Sequence, residues 1–378
     1  MNAMKEREFS VDGSLWRRIS GVAGRAFWRA ANGMAILIAV LATQSTASAQ
    51  RPQAPAQLPD FALSNDGKIL AVSRDGTIGL LDWRVDKLVV LPRPAGVRLM
   101  GGPTFSPDGR SLAAVVGHDG EFAIFDLATV EVVGFHKSDC WFQSSPIFQP
   151  DGNAILFSTG GSRAYLCHYD FSTRTTSIPL KREDGFYAMG EPMFVGPNKV
   201  LFIGIGPKNS SVASSVESLG VSKTSASVPY HLEIGGMPEI AYPELVRRGA
   251  KLTKGMGGGP VSFAASRNGE RVVFIDRSLT EEDRVAREEF GRFRYDLFMI
   301  EGGVTHQITH LEAYLARLAI SYDGHTVAFG IQSKATGDPS DARRLDLVIM
   351  DLRTKVLTRI DLIDRLDAEP GFGGKSPR

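Results

Sequence analysis

Phe105-Ser106-Pro107-Asp108-Gly109, followed at once by the apolar run Leu112 to Val116, decides how this chain folds, because the pattern recurs. Asp-Gly marks a tight turn: glycine takes positive φ without steric cost, and aspartate hydrogen-bonds its own backbone. Working outward, the same turn sits in Phe61 to Gly67 before Ile69 to Val72, and in Pro146 to Gly152 before Ile155 to Ser158. It returns at Asn268-Gly269 before Arg271 to Ile275, and at Asp323-Gly324 before Thr326 to Gly330. A degenerate copy runs from Pro192-Met193-Phe194 through Asn198-Lys199 into Val200 to Ile205, with later strands predicted over Tyr230 to Ile234 and Met237 to Ala241.

Each copy opens a unit of four short strands, and the third strand ends in an acid, as at Asp82, Asp126, Asp170 and Asp351. The units are predicted at about 61–92, 103–135, 146–181, 192–241, 261–309 and 318–360. Four-stranded units repeating every ~40 to 70 residues are the pattern of a β-propeller, in which each blade needs its neighbours to bury both faces. The strands agree, since Leu112 to Val116 and Leu347 to Met350 are continuous apolar runs rather than alternating ones. The fold class is therefore all-β, a six-bladed propeller of four-stranded antiparallel blades over residues 61–361.

Three stretches carry a family resemblance: F-S-P-D-G-R-S-L-A-A (Phe105 to Ala114), Y-D-L-F-M-I-E-G-G (Tyr295 to Gly303) and L-D-L-V-I-M-D-L (Leu345 to Leu352). They resemble the repeats of TolB-type, WD-repeat-like propellers. TolB itself carries an additional α/β domain before its propeller, whereas here only a short linker precedes the first unit. The resemblance implies a fold more than a function, because this fold hosts protein-binding modules, carbohydrate-active enzymes and regulatory domains of peptidases.

The 378 residues are 43% hydrophobic and 22% charged, with 43 Lys and Arg against 42 Asp and Glu. A net charge of +1 supplies no field for nucleic acid or a membrane surface. The first 49 residues differ from the rest. Arg17, Arg18, Arg25 and Arg29 precede the apolar run Met34 to Ala42, and Ala47-Ser48-Ala49 supplies small residues for a peptidase. This reads as a cleavable secretory signal with cleavage before Gln50 and a periplasmic destination. About nine apolar residues reach only ~14 Å as helix, roughly half a bilayer core, so no membrane span is expected after cleavage. Pro52, Pro55 and Pro59 make 50–60 an extended linker, and the polar residues 362–378 are expected to form a flexible tail. Cys140 and Cys167 are read as two separate buried thiols. A bridge between them, contributing about 3 kcal/mol, is the alternative in an oxidising compartment.

With strands labelled a to d outward from the channel, a-to-b and c-to-d turns fall on one rim, b-to-c and d-to-a loops on the other. The a-to-b turns are tight. The inserted length, at Gly206 to Ala226, Tyr242 to Gly259, Arg277 to Phe293 and Ser333 to Arg344, falls on the opposite rim, which is where binding is expected. Residues 281–290 can form a short helix with a solvated charged face. Loops entering the channel mouth carry Met100, Trp141, Phe142, Phe186, Tyr187, Met189, Met256 and Tyr314, able to grip a peptide, stack on a sugar or simply pack. His118, Asp119, His136 and Asp139, with Cys140, are expected near each other on that rim, as a polar binding cluster or an ordinary turn. No catalytic or metal-binding set is assigned, and no cofactor is expected. No Gly-x-Ser-x-Gly elbow appears, and Gly257-Gly258-Gly259 precedes a proline and a strand rather than a helix, so neither a serine hydrolase nor a phosphate loop is indicated. These residues point to an exported, monomeric module binding an envelope protein or peptide. The alternative is a carbohydrate-active lyase or hydrolase.

Overall fold

The computed structural model describes residues 59–93, 99–117, 120–142, 144–159, 165–180, 189–205, 227–247, 262–277, 295–311, 313–332 and 345–369. Among these residues, twenty-four strands form six antiparallel sheets of four. Blade one is β1 (Asp60–Leu63), β2 (Ile69–Arg74), β3 (Thr77–Asp82) and β4 (Lys87–Val90). Blade two is β5 (Leu99–Phe105), β6 (Ser111–Val116), β7 (Glu121–Asp126) and β8 (Glu131–Lys137). Blade three is β9 (Ile147–Phe148), β10 (Ala154–Ser158), β11 (Leu166–Asp170) and β12 (Thr175–Leu180). Blade four is β13 (Met189–Phe194), β14 (Lys199–Ile205), β15 (Ser227–Glu233) and β16 (Glu239–Ile240). Blade five is β17 (Ser262–Ala265), β18 (Arg271–Arg277), β19 (Tyr295–Glu301) and β20 (Val304–Gln307). Blade six is β21 (Tyr314–Ile320), β22 (Thr326–Gln332), β23 (Leu345–Asp351) and β24 (Leu357–Ile360).

The first strands of successive blades lie side by side, and β21 returns to β1, so they enclose a channel. The core consists of six separate apolar layers, one between each pair of adjacent blades. Blade two meets blade one through Phe105, Leu112, Ala114 and Phe125 against Ala71, Ile78 and Leu91. Its other face meets blade three through Phe122 against Phe157 and Tyr169. Burial on both faces explains the continuous apolar runs.

Every sheet uses four strands consecutive in sequence, so the ring closes by packing blade six on blade one rather than by exchanging a strand. A helix, α1 (Leu362–Ala368), completes that seam. The Asp361 side chain caps it by accepting from the Asp364 N–H. Leu362 and Leu366, four apart and on one helical face, are buried with Leu63, Leu70 and Val72 of blade one and Leu347 and Ile349 of blade six. Arg365 pairs with Asp86 in the β3–β4 turn. The flexible tail expected from residue 362 is thus an ordered clasp through its first turns, because two leucines find a groove that exists only once both blades are in place.

The recurrent turn is a closed hydrogen-bond circuit. The Ser106 hydroxyl donates to the Asp108 carboxylate (2.6 Å) and accepts from the Ser111 N–H (2.9 Å), while Asp108 also accepts from the Arg110 N–H (3.0 Å). Ser64, Ser266 and Ser321 repeat the arrangement with Asp66, Asn268 and Asp323. The aspartates ending the third strands of blades one, two, three and six cap the next turn. Asp126 accepts from the Ala128 and Thr129 N–H groups (both 2.9 Å), and Asp351 from Arg353 (2.8 Å) and Thr354 (3.0 Å). These bonds hold the carboxyls below their ordinary range. The Ser106 hydroxyl does this for Asp108, the Thr129 N–H for Asp126 and the Thr354 N–H for Asp351, while the Ser172 hydroxyl takes Asp170 down to about 2.

Gly269 in the blade-five turn has φ +70°, and a Cβ there would fall 2.1 Å from the Val195 carbonyl oxygen of blade four. Gly302, φ +58°, has open space. Gly269→Ala is therefore expected to cost about 2–4 kcal/mol in urea unfolding, strain and clash together, against ~1 kcal/mol for Gly302→Ala. Equal costs would disprove the close approach. Leu366→Ala removes a fully buried side chain and is expected to lower stability by about 2–4 kcal/mol. A change under about 0.5 kcal/mol would show that α1 does not hold the seam.

Stability also depends on pH with a determined sign. His231, with Nε2 buried and unpartnered, is pushed by burial from 6.5 down to about 4, so the fold favours its neutral form. The capping aspartates have folded-state values below their ordinary 3.8. All these groups have depressed folded values, so their contributions are present above the ordinary values and lost as pH falls. The melting temperature is expected to drop from pH 6.5 to about 4, and again below about 3.8. His231→Phe should flatten the first drop, and a melting curve without it in the wild type would disprove the assignment.

Candidate functional site

The six first strands line a central cavity of about 180 Å³. Most of its described lining residues are apolar, Phe61, Phe148, Met193, Phe194, Phe263 and Ile320 among them, and the charged ones among the described residues are Arg267 and Arg317. The two arginines come from different structural devices.

Arg267 occupies the position between serine and the acid or amide in the recurrent turn, which Asn65, Pro107, Pro150 and Tyr322 fill in other blades. These residues close the channel at the rim of short turns. The Arg267 guanidinium donates to the Pro107 carbonyl (3.4 Å) and the Pro150 carbonyl, and its backbone N–H donates to the Tyr322 carbonyl (3.2 Å). Asn65 donates to the carbonyls of Pro107 (2.8 Å) and Ser106 (3.3 Å), and the Tyr322 hydroxyl to that of Phe105 (3.5 Å). Burial pushes the Tyr322 phenol far above its ordinary value. Arg267 also lines a groove of about 520 Å³ between blades two and three, with Asp108, Asp151, His136 and Phe171.

Arg317 stands toward the opposite end, in a bulge of β21 between Ala316 and Leu318, with φ +50°. It pairs with Asp60, whose second oxygen accepts from the Gly102 N–H (3.3 Å). Burial draws the guanidinium below its ordinary pKa. Sequence reading passed over both arginines. The signal for Arg267 was the variable place inside an otherwise constant turn, whereas nothing local distinguishes Arg317.

The predicted site residues fall differently. Met100, Met189 and Tyr314 lie on the first strands β5, β13 and β21. Trp141 is 70% exposed beside blade two. Phe142 stacks on Phe157 with ring centroids 4.0 Å apart and meets Phe122 edge-on. His136 faces inward from β8, stacked on Phe122 at 5.2 Å, with Nδ1 3.3 Å from the Tyr169 hydroxyl. Burial, and secondarily Arg174, lowers its pKa. Asp139 is exposed, and its N–H donates to Thr176 Oγ1 (3.2 Å). His136 thus sits within an aromatic layer while Asp139 faces solvent. His118, Asp119, Phe186, Tyr187 and Met256 lie outside the described residues, as do the expected helix 281–290 and most of the inserted loops. Among the described residues no three His, Cys, Asp or Glu side chains come together as a metal site.

Cys140 and Cys167 form a disulfide across Cα atoms 6.5 Å apart, which corrects the reading of two separate thiols. The bond joins the segment after β8 to β11 and so staples blade two to blade three inside their shared layer. Blade packing, rather than sequence separation, brings the two together. Reduction under denaturing conditions is expected to add the mass of two hydrogens, and Cys140→Ser with Cys167→Ser to cost about 3 kcal/mol. An unchanged mass would show that the staple is absent.

The architecture is a six-bladed β-propeller of four-stranded antiparallel blades. No family profile and no curated protein sequence matches the chain. Among solved structures it is similar to TolB from Acinetobacter baumannii, 16% identical over 79% of this chain and 62% of that one, with TM-score 0.48. It is similar also to an oligogalacturonate lyase from Vibrio parahaemolyticus, 14% identical over 80% of this chain and 76% of that one, with TM-score 0.50. The propeller domain of the Trilobed protease from Pyrococcus furiosus is 13% identical over 81% and 85%, with TM-score 0.44. The chain spans less than two thirds of the A. baumannii TolB, and likeness at these identities is likeness of fold.

Proposed function

We propose that the chain is an exported, periplasmic propeller that binds an envelope protein or peptide through the rim carrying its long connections. The supporting observation is the asymmetry of the two rims. On one, the short turns are tied to one another through Arg267, Asn65 and Tyr322. From the other leave the connections β14–β15, β18–β19 and β22–β23, with residues 206–226, 278–294 and 333–344 between the described strands. Loops of this length on a rigid ring can vary without disturbing it, and the closed rim offers no comparable freedom. The residues before Gln50 supply the export signal in this reading. Among the described residues no helix is long and apolar enough to cross a membrane.

A carbohydrate-active lyase or hydrolase is the second reading, favoured by the likeness to the oligogalacturonate lyase. One experiment separates the two. Immobilised full chain is incubated with envelope extract, alongside variants with 206–226 or 278–294 replaced by short Gly-Ser linkers and an Asn65→Ala variant on the closed rim. Binding predicts a partner retained by wild type and Asn65→Ala and lost from a loop variant. A partner held equally by all, or none together with unsaturated products from polygalacturonate, would overturn it.

A further inference from the structure

We propose that the outer edge of blade two binds an extended peptide segment carrying an arginine or lysine, which adds a strand beside β8 and lays its cation on Trp141 and Asp139. The site belongs to a different blade from the long connections β14–β15, β18–β19 and β22–β23, so the inference stands whether or not those connections bind a partner.

The edge comes first. β8 is the last strand of its sheet, and no described strand pairs with its outer side. It has seven residues, whereas the outer strands of the other blades have two to six. The bulge in its pairing with β7 falls at Val133, which leaves Gly134 to Lys137 regular. The Ser138 N–H donates to the Gly120 carbonyl (2.9 Å), so His136 and Ser138 bond inward, and alternation turns the N–H and C=O of Phe135 and Lys137 outward. Val133 and Phe135 are exposed at 62% and 54% on the same strand. A long edge with exposed apolar side chains is a template for another strand, and main-chain hydrogen bonds hold an extended peptide there.

The segment that follows β8 determines what the added strand carries. Ser138 and Cys140 are buried, whereas Asp139 and Trp141 are exposed. The backbone on either side of these two is tethered. The Asp139 N–H donates to Thr176 Oγ1 (3.2 Å) and the Cys140 N–H to Ser138 Oγ (3.0 Å). Cys140 is bonded to Cys167, and Phe142 stacks on Phe157. Exposure of the indole is therefore imposed by its surroundings, and a ligand has little left to order. Among the described residues the Trp141 ring has no aromatic neighbour and the Asp139 carboxylate no cation. Lys137 is taken by Glu121 (3.2 Å), and Arg174, which lies near His136, pairs with neither Glu131 nor Asp139. The strip thus offers an unpaired carboxylate two residues from an open indole face. A cation gains from both, by ion pairing and by cation–π contact, and arginine gains most because its plane stacks while its edge donates. An acidic or uncharged segment gains neither.

The test is calorimetric titration of the full chain with three peptides. The first is acetyl-Thr-Val-Arg-Val-Thr-amide. The second replaces arginine by citrulline, which keeps the shape and removes the charge, and the third replaces both valines by proline, which cannot pair as a strand. The arginine peptide is expected to bind, and the other two about fivefold or more weaker. Asp139→Asn and Trp141→Leu, both at exposed side chains, are each expected to weaken the arginine peptide by about fivefold. No binding of the arginine peptide at millimolar concentration, or equal binding of it and either other peptide, overturns the proposal in the wild-type chain. So does self-association in sedimentation that Phe135→Lys abolishes, because the edge then belongs to a second copy of the chain.

Discussion

The structure depends on one constraint: a blade has no interior of its own. Each four-stranded sheet buries apolar residues on both faces, so its core is shared with the blade before and the blade after. Stability therefore resides in six interfaces rather than six sheets, and a ring has no terminal blade only if the last interface is as well made as the others. Here blade six meets blade one without a shared strand. The substitute is distributed over the seam. Thr326 lies in the space a side chain at Gly67 would need, the Asp323 N–H donates to the Asn65 carbonyl (3.1 Å), Arg317 pairs with Asp60, and α1 lays two leucines across both blades.

The same constraint explains what could be read in advance. Continuous apolar runs at fixed spacing report two-sided burial, and the Asp-Gly turns report direction reversal, so blade number and strand order follow from local pattern. The acids after the third strands were visible as a recurrence, and their hydrogen bonds to the next N–H groups supply the reason. Features that depend on two blades meeting were not legible. The Cys140–Cys167 bond requires the register of blade two on blade three, and α1 looked like a polar tail because its leucines gain meaning only from the groove they fill. His136 and Asp139 are three residues apart, yet on a strand and its exit one faces the aromatic layer and the other solvent.

The candidate site divides along the same line. Of the described residues chosen for chemical type, Met100, His136, Met189 and Tyr314 fall on strands and Asp139, Trp141 and Phe142 outside them, with no shared placement, whereas the channel arginines are set by the scaffold. A turn whose serine and acid are fully occupied by its own backbone leaves one side chain free to vary without loss of the turn, the residue between them. In blades three, five and six that residue, Pro150, Arg267 or Tyr322, lines the channel. The most regular element of the sequence therefore carries a variable position where six blades converge.

That position also distinguishes the blades from one another. Proline in blades two and three leaves carbonyls that accept, and arginine in blade five supplies the guanidinium that donates to them, so the blades differ where a strict repeat would be symmetric. A symmetric ring of prolines would close the channel with no charge, and a ring of arginines would repel itself. One arginine against neutral acceptors ties the turns of blades two, three and five together, whereas Arg317 is paired with Asp60. The two arginines that line the channel are therefore held in different ways, one by carbonyl oxygens of neighbouring turns and one by a carboxylate of the adjoining blade.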